Sequence, residues 1–394
     1  MRNCEQKDTL LGQSEKFAEA VAHYGGIPAL RPNKHWKDVL ERFHHKAFNQ
    51  CRTAEELIAF ATENNGFVIY RLVDSPVIGQ VIDGYLAWLD RFGCSIDSLP
   101  KEIAESPFAS RKVVCERRGR NVSTSFLWHL CIASRLRKAI PKVNRILEIG
   151  PGFGGLTRIM KLLSPGSCYI LVDLPESLVF AYVYLKYHFP DAKIMFMTGD
   201  KALAADWAEK FDIVLVPSNL MENLRGISVD LALNIASFGE MTTGAVSAYV
   251  KFIEESLNTG WLYSINQYGK FPAAMANGRG KRLVQDDICR IALPVDAFWR
   301  IEDWKYLEDN GFVQTDLLMA PCLEVLLRRL SPAKRNGQEN KALAKMLTVE
   351  AKSLPEGSVR WHYLLWDACR LDPHGEGAFW LASWGRSMEY PEFL

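Results

Sequence analysis

A glycine-rich stretch, ILEIGPGFGGLTRIM at residues 146–160, constrains this chain more than any other part of its sequence. Four of the six residues from Gly150 to Gly155 are glycine, and the apolar run before them has the character of a buried strand. A bare turn between a strand and a helix lets a ligand approach the backbone and meet the helix N-terminus. The stretch therefore predicts an α/β unit with a ligand at the carboxyl end of its first strand.

Two classes of ligand fit this turn. Gly150, Gly152 and Gly155 satisfy the G-x-G-x-x-G pattern of a dinucleotide site, and Asp173 follows about twenty residues later. Glu148, however, stands two residues before the first glycine. An acid at that position faces the pocket and suits a positively charged ligand better than a pyrophosphate.

The pattern of helical and β-rich segments divides the chain into three regions. Residues 1–141 look mainly helical and are expected to form a substrate cap or a dimerisation region. Residues 142–330 alternate β-rich and helical runs, which predicts a parallel sheet covered by helices. The runs GFVQTDLLMAP and CLEVLLRRL meet at Ala320 and Pro321, so they should form a hairpin with an antiparallel last strand. Residues 331–394 read as a linker and a small helical region.

Composition narrows the function classes. Lys and Arg number 47 against 46 Asp and Glu, so no global field favours nucleic acid. No apolar run reaches the roughly eighteen residues of a membrane span. The nine cysteines contain no CxxC pair, which disfavours a zinc cluster, and the start of the sequence lacks a signal peptide. We expect a cytoplasmic protein.

Four stretches carry a family resemblance: ILEIGPGFGGL, YILVDLPESL, VYLKYHFPDAKI and VDLALNIASFGEM. They resemble class I S-adenosylmethionine-dependent methyltransferases and, within these, the sugar O-methyltransferase family. The resemblance covers about residues 142–330. It implies a Rossmann-like, seven-stranded sheet with an antiparallel last strand, and S-adenosylmethionine as cofactor.

The resemblance also orders the strands. FDIVLVP, at residues 211–217, reads from its residues alone as either the third or the fourth strand, and in the second case Asp200 would lie nearer the adenine. The family pattern makes VDLALNIAS the fourth strand, FDIVLVP the third and KIMFM a short extra strand. It then implies these cofactor-binding residues: Glu148, Gly150, Gly152, Gly154, Asp173, Pro217, Ser218, Asn234 and Ser237. Asp173 would accept the ribose hydroxyls, although it also suits a cap for the helix that follows.

The catalytic candidates are carboxylates. Glu240 follows the fourth strand, where the acceptor pocket should begin, and is the first choice for a base; it also suits a charge at the start of the next helix. Asp286 and Asp287 follow the fifth strand as bases or, if both turn inward, as oxygen ligands of Mg²⁺; no metal-binding residue is assigned. A histidine base would come from outside the sheet, for example His129.

The leading hypothesis is methylation of a sugar hydroxyl on a glycan or glycan precursor. The alternatives are O- or N-methylation of a natural-product scaffold, and a non-catalytic cofactor-binding or scaffolding protein. The expected partner is a small-molecule or glycan acceptor, and the sequence leaves a homo-oligomer open.

Overall fold

The structure is a computed structural model of the chain. It describes residues 30, 32, 34–63, 78–91, 93–140, 142–199, 201–257, 259–267, 299–306, 322–329, 337–356, 361, 364–365, 368–369 and 371–387.

The described residues form one small sheet and one large sheet. The small sheet is a hairpin of β1 (Cys115–Arg117) and β2 (Arg120–Val122). The large sheet has eight strands: β3 (Arg145–Ile149), β4 (Cys168–Asp173), β5 (Ile194–Phe196), β6 (Ile213–Pro217), β7 (Leu231–Ile235), β8 (Trp261–Gln267), β9 (Trp299–Tyr306) and β10 (Cys322–Arg329). Their order across the sheet is β5-β6-β4-β3-β7-β8-β10-β9.

This order confirms the predicted fold class. β3 lies between β4 and β7, and β6 lies beyond β4, so FDIVLVP is the third strand and VDLALNIAS the fourth. The short strand β5 pairs only with the edge of β6, as the extra strand should. The neighbours from β5 to β8 are all parallel, so their carboxyl ends meet at one edge of the sheet.

The antiparallel last strand is also confirmed. β10 runs antiparallel to β8 and to β9, which places it between two strands of the opposite direction. Its hairpin partner among the described residues is Trp299–Tyr306, a run that the sequence did not single out. The predicted partner at 311–320 lies outside the described residues.

Helices pack on both faces of the large sheet. The helices of the described residues are, in chain order, α1 (Lys34–Val39), α2 (His45–Gln50), α3 (Ala54–Glu63), α4 (Ile78–Arg91), α5 (Thr124–Ala139), α6 (Gly155–Leu163), α7 (Pro175–His188), α8 (Trp207–Lys210), α9 (Thr243–Ser256), α10 (Gly337–Lys352) and α11 (Glu376–Ser387). A π-helical turn, Leu40–His44, joins α1 to α2. Successive strand residues point to opposite faces, so Ile146 packs in a core with α3, α5, α6 and α7, whereas Leu147 packs in a second core with α9.

Local signals in the N-terminal region behave as predicted. Thr53 and Glu56 form the expected capping box, since each side chain accepts a hydrogen bond from the other residue's backbone N–H, both at 3.2 Å. Helix α5 ends at Ala139, two residues before Pro141. This helix lies on the sheet through a buried ion pair between Arg135 and Glu324 of β10. The substrate-capping role of the N-terminal region stays a prediction.

The described part of the C-terminal region is helical, as expected, and α10 packs against α11. Trp361 is buried in the small core of this region. None of the described helices combines the length and the apolar character needed to cross a bilayer.

Candidate active site

The glycine turn, residues 150–155, lies at the carboxyl end of β3. Gly150 has a φ of 73°, in the left-handed region that side-chain-bearing residues rarely adopt, and its N–H donates to the carbonyl of Val172 at 2.8 Å. A Cβ atom on Gly150 would lie 2.3 Å from Ser237 Oγ. The first glycine is therefore required both by its conformation and by the close approach of the fourth strand's tip.

Asp173 closes β4 directly across the glycine turn. Its Oδ2 accepts from the backbone N–H of Gly152 at 3.1 Å, and its Oδ1 accepts from Leu174 at 2.7 Å. The N-cap of α7 is Leu174, without a side-chain cap hydrogen bond, so the helix-capping alternative for Asp173 does not describe this structure. Each carboxylate oxygen retains acceptor capacity for a ligand hydroxyl, because a carboxylate oxygen accepts two hydrogen bonds.

Glu148 is buried on the face of β3 that α6 covers. Its Oε2 accepts a hydrogen bond from Thr157 Oγ1 at 2.6 Å. Burial raises its pKa to about 7, and the charge of Asp173 adds to that increase. Burial likewise raises the pKa of Asp173 to about 7, against the opposing effect of its two backbone hydrogen bonds.

Glu240 ends a short 3₁₀ turn, Phe238–Glu240, that follows β7. Burial raises its pKa to about 7, and again the charge of Asp173 adds to the increase. Helix α9 is capped by Thr242, whose Oγ1 accepts from Ala245 N–H at 3.2 Å. Glu148, Asp173 and Glu240 thus form a carboxyl cluster, in which Asp173 raises the pKa of both other members.

The amide of Asn234 organises the tip of the fourth strand. Its Nδ2 donates to Ile149 O at 3.0 Å and to Ser237 Oγ at 2.5 Å. Its Oδ1 accepts from Phe238 N–H at 3.1 Å and from Asn266 Nδ2 at 2.8 Å. Because these bonds use both donors and the acceptor, we interpret Asn234 as a residue that positions the turn, and its contact with the cofactor stays a prediction.

Ala236 in the same tip carries a second constraint. Its φ of 57° is unusual for a residue with a side chain, and its N–H donates to Ile265 O at 2.6 Å. Ser237 follows, with its Oγ 3.3 Å from Ile149 O. Backbone in this region is retained only where its surroundings fix it, which the Asn234 network does.

Pro217 and Ser218 close β6 next to Asp173. Pro217 pairs with Asp173 across the parallel ladder, and Ser218 is buried, with its hydroxyl hydrogen-bonded to Tyr249 of α9. The carboxyl ends of β3, β4, β6 and β7 thus bring the predicted cofactor-binding residues to one edge of the sheet.

Asp286, Asp287 and Asp200 lie outside the described residues. Among the residues that the structure does describe, no group of three or more His, Cys, Asp or Glu side chains is arranged to hold a metal ion.

Three further residues belong to the site. Thr157, Tyr249 and Asn266 fix Glu148, Ser218 and Asn234 respectively. The sequence could have indicated Asn266 as a site residue, because it is a polar residue near the end of the apolar strand WLYSINQ. Thr157 and Tyr249 lie on helices with no local sign of their partners.

No protein-family model matches the sequence, and no curated protein matches it significantly. Among solved structures, mitomycin 7-O-methyltransferase is 16% identical, with 52% of this chain and 56% of that chain covered and a TM-score of 0.34. The match thus spans just over half of that enzyme.

Two other similar structures are methyltransferases as well. Human N-acetylserotonin methyltransferase, in complex with S-adenosylmethionine, is 14% identical over 65% of this chain and 66% of that chain, with a TM-score of 0.30. The N-methyltransferase NodS from Bradyrhizobium japonicum, with S-adenosylhomocysteine, is 11% identical over 63% and 99%, with a TM-score of 0.34.

Proposed function

We propose that this chain is an S-adenosylmethionine-dependent methyltransferase that methylates a sugar hydroxyl of a glycan or glycan precursor. The observation that carries the proposal is the carboxyl cluster around the glycine turn. The glycine turn and Asp173 also suit a dinucleotide, but the further acids Glu148 and Glu240 would disfavour a pyrophosphate. The raised pKa values of all three carboxyls mean that their ionised forms are costly without a positive charge nearby and are stabilised by a cation.

Different strand ends would bind different parts of the cofactor. Asp173 would accept hydrogen bonds from the ribose hydroxyls, because backbone N–H groups hold both of its oxygens in a fixed orientation. Pro217 and Ser218, one strand further out, would border the adenine. Glu148 and Glu240 would compensate the positive charge of the ligand.

The reaction needs a positioned acceptor and a base. Bound in this site, S-adenosylmethionine would supply a methyl group already activated by its sulfonium. The acceptor oxygen would form a new bond to the methyl carbon as the bond from that carbon to the sulfonium sulfur breaks, which would leave S-adenosylhomocysteine, and Glu240 would accept the hydroxyl proton. A carboxyl with a pKa of about 7 suits that task, because a base works best when its pKa is near the operating pH.

The rigid tip of the fourth strand supports this role. Glu240 N–H donates to Ser237 O at 3.1 Å, and Ser237 is itself fixed by Asn234. Methyl transfer depends on alignment of the donor, the methyl group and the acceptor oxygen. A base that is held in a fixed position helps to keep the acceptor hydroxyl in that alignment.

A screen of acceptors tests the function. The purified chain is incubated with methyl-labelled S-adenosylmethionine and sets of sugars, nucleotide-sugars and natural-product scaffolds, and the products are weighed by mass spectrometry. We expect a labelled methyl group on a sugar hydroxyl, and less product with the Asp173→Ala variant when the cofactor is subsaturating. Methylation confined to the natural-product set would replace the sugar assignment, and cofactor binding without transfer to any acceptor would favour a scaffolding role.

The metal requirement is tested separately. Mg²⁺ held by Asp286 and Asp287 would make turnover sensitive to EDTA and restorable by added Mg²⁺. Full activity in EDTA would leave Glu240 and orientation as the sources of catalysis.

A further inference from the structure

Helix α5 packs against the start of α6, next to the glycine turn. A Cβ atom on Gly155, the first residue of α6, would lie 2.5 Å from Cε1 and 2.7 Å from Nδ1 of His129. The imidazole of His129 therefore lies directly against the start of α6. The ring of Phe153 adds an edge contact to it, with centroids 6.1 Å apart.

The direction of α5 places its first turn near the carboxyl ends of the strands, where the site lies. The helix ends at Ala139 and β3 begins at Arg145, so the last turn of α5 is near the amino ends of the strands. The first turn is correspondingly toward the carboxyl edge. Ser125 precedes His129 by four residues, which puts both side chains on one face of the helix.

Ser125 has an unused hydroxyl on that face. The side chain is 5% exposed, and its Oγ has no hydrogen-bond partner among the described residues. A buried hydroxyl without a hydrogen-bond partner costs roughly 1–3 kcal/mol of folding free energy. We therefore expect the Ser125 hydroxyl to have a partner when a ligand is bound. Because His129 lies on the same face one turn later and contacts Gly155, Ser125 is on the face of α5 that packs against α6.

Positive charge surrounds the same place. Arg158, one turn into α6, is buried; it donates from Nη2 to Ala104 O at 2.6 Å, while its Nε has no partner among the described residues. Burial, together with the charge of Arg158, lowers the pKa of His129 to about 3, so the imidazole is neutral and offers one N–H donor. The free N–H groups of the first turn of α6 add a partial positive charge.

One carboxylate, that of Glu105, offsets part of this charge. Burial raises its pKa, and it is held by hydrogen bonds from Ser123 Oγ and from Ser106 N–H, whereas Arg158 acts on it only through charge. The glycine turn therefore has an acidic side at Glu148 and Asp173 and a basic side at Arg158.

We propose that Ser125, His129 and the first turn of α6 form a subsite for the carboxylate at the amino-acid end of the cofactor. A zwitterion fits a site with charges of opposite sign at its two ends, with its ammonium toward the carboxyl cluster and its carboxylate toward α5. The inference rests on the proposed function, because it concerns one end of the same ligand. It assigns α5, which precedes the sheet, a part in selecting the ligand.

A pair of ligands isolates this subsite. S-Adenosylhomocysteine and its decarboxylated analogue share the adenosine, the sulfur and the amine, and differ only in the carboxylate. We expect calorimetry to show that the intact chain prefers S-adenosylhomocysteine. Ser125→Ala should weaken that ligand by about tenfold and leave the affinity for the analogue unchanged, since a hydrogen bond to a charged group is lost.

A matched variant controls for effects on folding. Ser134→Ala changes another buried serine of α5, nine residues later and on the opposite face, and should change neither affinity. His129→Gln, which keeps an N–H donor, should retain more of the preference than His129→Ala. Equal affinity of the intact chain for both ligands, or an equal loss of both in Ser125→Ala, would overturn the subsite while leaving the cofactor assignment standing. Binding of neither ligand would overturn the proposed function together with it.

Discussion

The carboxyl cluster predicts that cofactor affinity depends strongly on pH. Glu148, Asp173 and Glu240 each have a pKa of about 7, well above the ordinary values of 4.5 for Glu and 3.8 for Asp. A cationic ligand favours the ionised forms, so binding below pH 7 must release protons. Affinity should therefore rise from pH 5.5 to pH 7.5, by up to about tenfold per pH unit for each carboxyl that is linked to binding.

The stability of the unliganded chain should change in the opposite direction. Because the folded state binds these protons more tightly than the unfolded state, the free energy of unfolding falls as pH rises from about 4 to about 7 and levels off above that. One group contributes at most about 1.4 kcal/mol per pH unit within this window. Asp173 and Glu240 are only partly buried, so solvent screening reduces their share, and we expect a total loss of a few kcal/mol.

Two measurements check this pair of opposite trends. Calorimetric titration with S-adenosylmethionine, whose sulfonium supplies the positive charge, in buffers of different ionisation enthalpy counts the protons released, and thermal unfolding of the unliganded chain follows stability across the same pH range. Glu148→Gln keeps an acceptor for Thr157 and should remove about one proton from the count. An affinity that is flat between pH 5.5 and pH 7.5, with no proton release, would refute the reasoning.

Three substitutions test single elements of the site. Glu240→Gln should reduce turnover at saturating cofactor by about a hundred- to ten-thousandfold, and a loss smaller than about threefold in a labelled-methyl assay would remove Glu240 from the mechanism. Gly150→Ala places a Cβ 2.3 Å from Ser237 Oγ at a φ of 73°, so chemical denaturation should show a loss of about 2 kcal/mol or more; unchanged stability would show that the fourth strand's tip yields easily. Asn234→Ala leaves the N–H of Phe238 without its partner and should cost about 2–4 kcal/mol in the same assay, whereas a stable variant that loses only cofactor affinity would favour direct ligand contact.

The sequence predicted the sheet well because its signals there are local. Each strand from β3 to β8 is an apolar run bounded by polar residues or glycine, and the turn at Gly150 marks where the order reverses. The position of Asp173 opposite Gly152 follows from the parallel pairing of β3 and β4, which the alternation of strands and helices already indicates.

The rest could not be predicted because it depends on contacts between distant residues. Asn234 was expected near the cofactor, and only the tertiary structure shows that Ile149, Phe238 and Asn266 use its amide completely. The contact of His129 with Gly155 depends on how α5 packs against α6, which helical periodicity does not determine. The pairing of β10 with Trp299–Tyr306 joins segments separated by fifteen residues outside the described part of the chain.

The most direct test of the account is a calorimetric comparison of S-adenosylhomocysteine with NAD on the same preparation, together with the Asp173→Ala variant. The account predicts that S-adenosylhomocysteine binds and NAD does not. It also predicts that removing the Asp173 carboxylate weakens S-adenosylhomocysteine by about ten- to a hundredfold, through lost hydrogen bonds to a charged group. Preferential binding of NAD, or an unchanged affinity for S-adenosylhomocysteine in the variant, would contradict the assignment of the glycine turn.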